Sequence, residues 1–168
     1  MQTLRTALLA SFVVSTLVAP ARAGTDADTL AVTATVQNSC AITGGTLAFG
    51  VYDIASGAAV DASPTVRVAC TAGAVTTITL DQGANANAGS SDAAPLRRLS
   101  DGVTGFLSYT LYSDAGRATV WGNTGGTGKG YTAVNASASD QTIYGRLAAN
   151  QEVPTGAYTD TVVATIMF

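Results

Sequence analysis

From Thr29 to Gln37 the sequence TLAVTATVQ places Leu30, Val32, Ala34 and Val36 on one side and Ala31, Thr33, Thr35 and Gln37 on the other. That period of two is the pattern of a half-buried β-strand with one apolar side. A short polar leader, Gly24–Asp28, precedes it and leaves it free to swing. Such a strand needs a sheet edge and an apolar groove, either its own or a neighbour's.

The rest of the chain reads the same way. Cys40-Ala-Ile-Thr-Gly-Gly marks a turn, Thr46–Phe49 a short strand and Val51–Asp61 an irregular crossing segment. Thr65–Thr71 sets Val66, Val68 and Cys70 against Thr65, Arg67 and Ala69, and Val75–Leu80 follows the turn at Thr71-Ala72-Gly73. Gln82–Pro95 is a long loop of small and polar residues. Leu96–Leu99, Phe106–Tyr112, Thr119–Trp121, Tyr131–Val134 and Gln141–Leu147 read as strands, with a glycine-rich loop at Gly122–Gly130.

The last element, Ala157–Phe168, alternates Tyr158, Asp160, Val162, Ala164, Ile166 and Phe168 with Thr159, Thr161, Val163, Thr165 and Met167. It ends on an apolar run, which predicts a sandwich lacking the strand that should follow and exposing an edge and a groove. Many short strands without helical periodicity predict an all-β sandwich of one domain.

The first residues stand outside this pattern. Arg5, the apolar run Thr6–Val18 and the small-x-small site Ala21-Arg22-Ala23 read as a secretory signal peptide over residues 1–23, with an N-terminal anchor helix as the alternative. The exported chain then has about 145 residues, enough for one core. Without Arg5 and Arg22 it carries 6 basic against 11 acidic residues. No basic stripe is present, so nucleic acid is a poor partner. Arg97-Arg98, the single basic doublet, reads as a solvated edge.

Cys40 and Cys70 both lie in the exported part, where an even count reads as a disulfide, with two buried free thiols as the alternative. Zinc is disfavoured, since two cysteines and no histidine leave a tetrahedral site incomplete.

Catalytic chemistry has little to stand on. The absence of histidine excludes Ser-His-Asp and Cys-His nucleophiles. The stretch Gly122–Gly130 resembles a phosphate loop but has Asn123 and Gly130 at the deciding positions, so no nucleotide is expected. Asp53, Asp61, Asp101 and Asp114 lack EF-hand spacing, and with a single Glu the acidic residues read as turn formers. Asn135-Ala-Ser137 is a sequon by pattern, and the Tyr158 hydroxyl is expected to bond back to an earlier corner. No cofactor and no metal are expected, and the chain does not read as an enzyme.

Several stretches together carry a resemblance. Asn38-Ser-Cys40-Ala-Ile, Leu47-Ala-Phe-Gly-Val-Tyr52, Val66-Arg-Val-Ala-Cys70, Tyr109-Thr-Leu-Tyr112, Gln141-Thr-Ile-Tyr-Gly-Arg146 and Gly156-Ala-Tyr-Thr-Asp160 occur in that order. With the signal peptide and the apolar end, the chain resembles the spore coat protein U family, the pilins of archaic chaperone–usher pili.

The resemblance implies an immunoglobulin-like β-sandwich lacking its final strand, preceded by an N-terminal donor strand. It divides the exported chain into an extension at residues 24–39 and a pilin domain at 40–168. Leu30, Val32, Ala34 and Val36 would be the donor side chains, Cys40 and Cys70 the disulfide. Val162, Ala164, Ile166 and Phe168 would border the acceptor groove and meet the chaperone. The implied partners are neighbouring pilin subunits, a periplasmic chaperone and an outer-membrane usher, and the implied destination is a pilus at the cell surface. The alternative is a monomeric secreted adhesin or coat protein whose own leader completes its sandwich.

Overall fold

The computed structural model describes residues 21–168, so nearly all of the expected signal peptide lies outside the described residues. The chain divides into two units, Met1–Thr35 and Val36–Phe168. The described part of the first has no helix or strand, and its side chains are exposed. The strand expected over Thr29–Gln37 is therefore not one here. A strand is held by a ladder, and a single segment has no partner to make one.

The second unit carries ten strands: β1 (Cys40–Thr43), β2 (Val60–Ala62), β3 (Thr65–Cys70), β4 (Val75–Leu80), β5 (Arg97–Ser100), β6 (Phe106–Tyr112), β7 (Lys129–Thr132), β8 (Ser139–Thr142), β9 (Tyr144–Leu147) and β10 (Ala164–Met167). They form three antiparallel sheets, ordered β1-β3-β8, β10-β4-β7 and β2-β9-β6-β5. The alternation read from sequence decides the burial: Val66, Val68 and Cys70 of β3 and Leu107, Tyr109 and Leu111 of β6 are all buried.

Gln141–Leu147, expected as one strand, is two, because the chain changes sheet at Ile143. β8 pairs with β3 on one side of that residue, and β9 pairs with β2 and β6 on the other. The facing segment, from β2 to β3, turns the same corner at Ser63-Pro64, and the register is unchanged across it, from Val60↔Leu147 to Val68↔Ser139. Proline lacks the N–H that the ladder needs and interrupts the pairing where the bend falls. The Ile143 N–H donates to the Pro64 carbonyl at 2.8 Å and keeps the two corners together.

Thr46–Phe49 also departs from expectation. Leu47 and Phe49 turn inward as in a strand, but the segment joins no ladder. Its side chains are seated over Gly145, where an added Cβ would come within 3.0 Å of Leu47 and 3.1 Å of Phe49. A glycine at the centre of that sheet makes the room. Phe49 also packs against Tyr109, ring centroids 5.9 Å apart.

The reading of Arg97 as a solvated edge is corrected. Arg97 is only 1% exposed; its Nε donates to the Asp81 carbonyl at 2.7 Å, and its Nη2 to Leu80 and Trp121 carbonyls at 2.8 and 2.9 Å. Burial pulls its pKa down, opposed by Tyr109, Asp81 and Asp160. A guanidinium tolerates this place because three carbonyls converge on its planar fork. Arg98 does reach the surface side, its guanidinium 4.0 Å above the Phe106 ring. Thr119–Trp121 supplies one bridge, Val120 to Tyr112, and delivers Trp121 to the core.

Trp121 is wholly buried, and its indole N–H donates to the Ile78 carbonyl at 2.8 Å. Trp121→Ala removes the largest core side chain and takes the indole donor from that carbonyl, which keeps its place opposite Lys129 in the β4–β7 ladder. We expect a loss of about 3–5 kcal/mol in urea unfolding; a loss under about 1 kcal/mol would contradict this account of the core.

Candidate functional site

Among the outer strand edges of the three sheets in the described residues, two face one another, that of β1 and that of the final segment. On β1 the first is set by Ser39, whose carbonyl accepts from the Thr71 N–H at 2.9 Å. In an antiparallel ladder alternate residues bond to the same neighbour. Ala41 and Thr43 therefore bond toward β3, and the backbone groups of Cys40 and Ile42 point the other way. The opposed pair Cys40↔Cys70, with Cα atoms 4.1 Å apart, is a close non-hydrogen-bonded pair, and a disulfide joins it. The bond ties the start of β1 to its only ladder partner.

The second edge is longer than the four residues of β10. Thr159 exchanges two backbone bonds of 2.9 Å with Ser100, while the Thr161 and Val163 carbonyls accept from Ala84 and Asp81 at 3.0 Å. All three are odd-numbered and bond on one side, as Thr165 and Met167 do toward β4. The even-numbered backbone groups of Asp160, Val162, Ala164 and Ile166 face the open side. Neither the N–H nor the C=O of Asp160 or Val162 has a partner among the described residues.

Between these edges lies a cavity of about 470 Å³. Ile42, Gly44 and Gly45 line it on one wall, Asp160, Val162 and Ala164 on the other, with Leu80, Leu99, Tyr109, Leu111 and Ile143 beneath. Cα atoms of β1 and β10 approach within 8 Å, less than the roughly 9.5 Å that two strand spacings occupy. The groove is thus narrow along the two strands and widens toward Gly44–Thr46 and Asp160–Val162. A second cavity of about 670 Å³ lies beyond Leu47 and Phe49, against residues 153–158.

One hydrogen-bonded polar pair anchors the lining, which also includes Thr46, Thr65 and Thr161. The Tyr109 hydroxyl donates to Asp160 Oδ2 at 2.6 Å, and Asp160 Oδ1 accepts from the Asn85 backbone and side-chain amides, both at 3.1 Å. Asp81 works beside it, accepting from the Gly83 and Val163 N–H groups at 2.9 and 3.0 Å. Gly83 has a positive φ of 77°, and any Cβ there would strike the Asp160 carboxylate. The two aspartates therefore fasten the 81–85 loop to the closed side of the final segment and leave its other side bare. Burial, then the bond to Asp160, raises the pKa of the Tyr109 phenol far above its ordinary value.

The residues expected from sequence fall unevenly on this site. Val162 and Ala164 line the groove; Ile166 is half-buried against the core outside the cavity lining, and Phe168 is 59% exposed. Leu30, Val32, Ala34 and Val36 are exposed. The Tyr158 hydroxyl bonds to the Pro154 carbonyl at 2.8 Å, a corner only four residues back. The β1 wall and the Tyr109–Asp160 pair were not anticipated. Their 51-residue separation gives no local signal, although an Asp inside an apolar alternation is the trace it leaves in sequence.

This architecture is an all-β, immunoglobulin-like domain with an open strand edge. Residues 26–165 match the Spore Coat Protein U domain, and the chain belongs to that family. It is 43% identical over 180 residues to Protein U of Myxococcus xanthus, across the full length of both chains. In structure it is similar to a chain of the CsuC–CsuE chaperone–tip adhesion subunit pre-assembly complex from the archaic chaperone-usher Csu pili of Acinetobacter baumannii. The TM-score is 0.58 at 16% identity, over 80% of this chain and 40% of that one.

A phenol whose pKa is higher folded than unfolded contributes its full stability below about pH 10 and loses it as pH rises further. Tyr109→Phe should cost about 1–3 kcal/mol at neutral pH, because Asp160 loses a buried donor. It should also flatten the alkaline fall in stability by up to about 1.4 kcal/mol per pH unit. Urea titrations from pH 7 to 11 check both, and an unchanged alkaline slope would refute the Tyr109 assignment.

Proposed function

We propose that this chain is a structural subunit of a bacterial surface fibre, polymerised by passing a strand from one copy into the next. The observation that carries the reading is two unpaired strand edges facing across an apolar groove, in a chain that also holds an exposed segment of alternating apolar residues. Leu30, Val32 and Val36 are 86%, 84% and 83% exposed. Burying those three in a neighbour's groove is worth roughly 5–9 kcal/mol at about 1.5–3 each. Ladder bonds to Cys40 and Ile42 on one side and to the Asp160–Ile166 edge on the other come in addition.

Laid between the edges, the donated strand joins β1-β3-β8 to β10-β4-β7 and completes the sandwich. The contact is head to tail, so it grows an open filament. Until a neighbour arrives the edge needs cover, because unpaired edges aggregate. A periplasmic chaperone lending a strand supplies that cover, an outer-membrane usher the exchange and the exit to the cell surface. The likeness to a chaperone–subunit complex of archaic pili supports this, as does the family. The role is structural and not catalytic.

The family's description as a spore coat protein favours a second reading, in which the chain's own leader fills its groove and the product is a monomeric coat protein or adhesin. Deleting residues 29–37 separates the two. On the fibre reading the chaperone-bound subunit still folds and filaments vanish from electron micrographs. On the coat reading the intact chain is monomeric without a chaperone and melts at a temperature independent of concentration. Filaments that persist after the deletion would rule out strand passing.

A further inference from the structure

The chain has almost no slack where the exposed segment leaves the folded body. The Thr71 hydroxyl lies 3.4 Å from the Gln37 carbonyl and accepts from the Ser39 N–H at 3.1 Å. Val36, the last inward-facing residue of the proposed donor, is thus one residue from an anchored position. One or two extended residues reach about 4–7 Å. A groove that closes over Val36 must bring the accepting subunit's body against the Thr71–Ala74 turn.

Two apolar side chains stand at that turn. Val75, 71% exposed, opens β4, and Val134, 89% exposed, follows β7. The Gly73 N–H donates to Ala133 O at 2.8 Å and the Ala133 N–H to Ala74 O at 3.0 Å, which ties both segments to one pole. Val75 lies opposite Thr132, and Val134 comes two residues later on the same outward face, a diagonal neighbour within side-chain reach. No charged residue occurs in 71–80 or 130–139. Charge depletion around exposed apolar groups is the composition of an interface core, not of a solvated loop.

We propose that Val75 and Val134 form a second contact between consecutive subunits, packed against the body of the copy that accepts the strand. The proposal rests on strand passing between copies and adds the surface that the short connection brings together. The strand alone links subunits like beads on a string. A packed joint at its exit sets the angle between neighbours, which makes the filament stiff and slow to come apart.

The test compares filaments from the wild-type chain, from Val75→Asp/Val134→Asp, and from Val103→Asp, a control at a valine 81% exposed in another loop. The double variant should still assemble, because the donor and groove are untouched. Its filaments should dissociate in urea at least about tenfold faster and appear more bent in micrographs, while the control matches wild type. The milder Val75→Thr/Val134→Thr pair should fall between, which guards against a folding defect of the charged pair. Double-variant filaments that match wild type in both measurements overturn the joint alone. Failure of the wild-type chain to form any filament overturns strand passing and the joint together.

Discussion

Backbone N–H and C=O groups must find partners in the protein or in water, and an exposed strand edge is where this requirement stays open. Among the described residues the open edges of β1 and of the Asp160–Ile166 segment face each other over an apolar floor. Neither sheet can be extended from within the second unit, since its other strands are committed elsewhere. The groove between them is walled by unpaired backbone groups, and along β1 and β10 it is narrower than two strand spacings, so a strand laid there has to part the walls.

Holding such a groove ready demands rigidity on its far side. Arg97 gathers the carbonyls of Leu80, Asp81 and Trp121 where β4 ends, and Asp81 and Asp160 fasten the following loop to the final segment. These are buried or half-buried polar groups, costly when unpaired and strongly directional when paired. They spend their bonds on one side of the final segment. The disulfide does the equivalent for β1, whose ladder is only four residues long. Both walls are thus fixed from behind, and the open side is left to a second molecule on the proposed reading.

Much of the fold was legible because alternation is a local property. The inward faces of β3 and β6 and of the final segment followed from spacing alone. Errors arose where a ladder partner, and not the segment, decides the outcome. Thr29–Gln37 has strand character and no ladder; Thr46–Phe49 has its inward side chains and no ladder; Gln141–Leu147 divides because Pro64, some 80 residues earlier, bends its partner. Arg97 was misjudged for the same reason, since the carbonyls that receive it belong to β4 and to Trp121.

Sequence by itself determined that the chain is built of short strands, that it holds an even pair of cysteines able to bridge, and that it carries an apolar alternating segment and a matching last element. The family resemblance also came from local motifs. Only the tertiary structure decided that β1 is one wall, that the free edge begins at Asp160, that Tyr109 anchors it, and that Val75 and Val134 stand exposed on segments tied together at the Thr71–Ala74 turn. Each of those facts is a meeting of residues far apart in the chain, and hydrogen-bond direction, not residue type, selects which side of a strand remains unpaired.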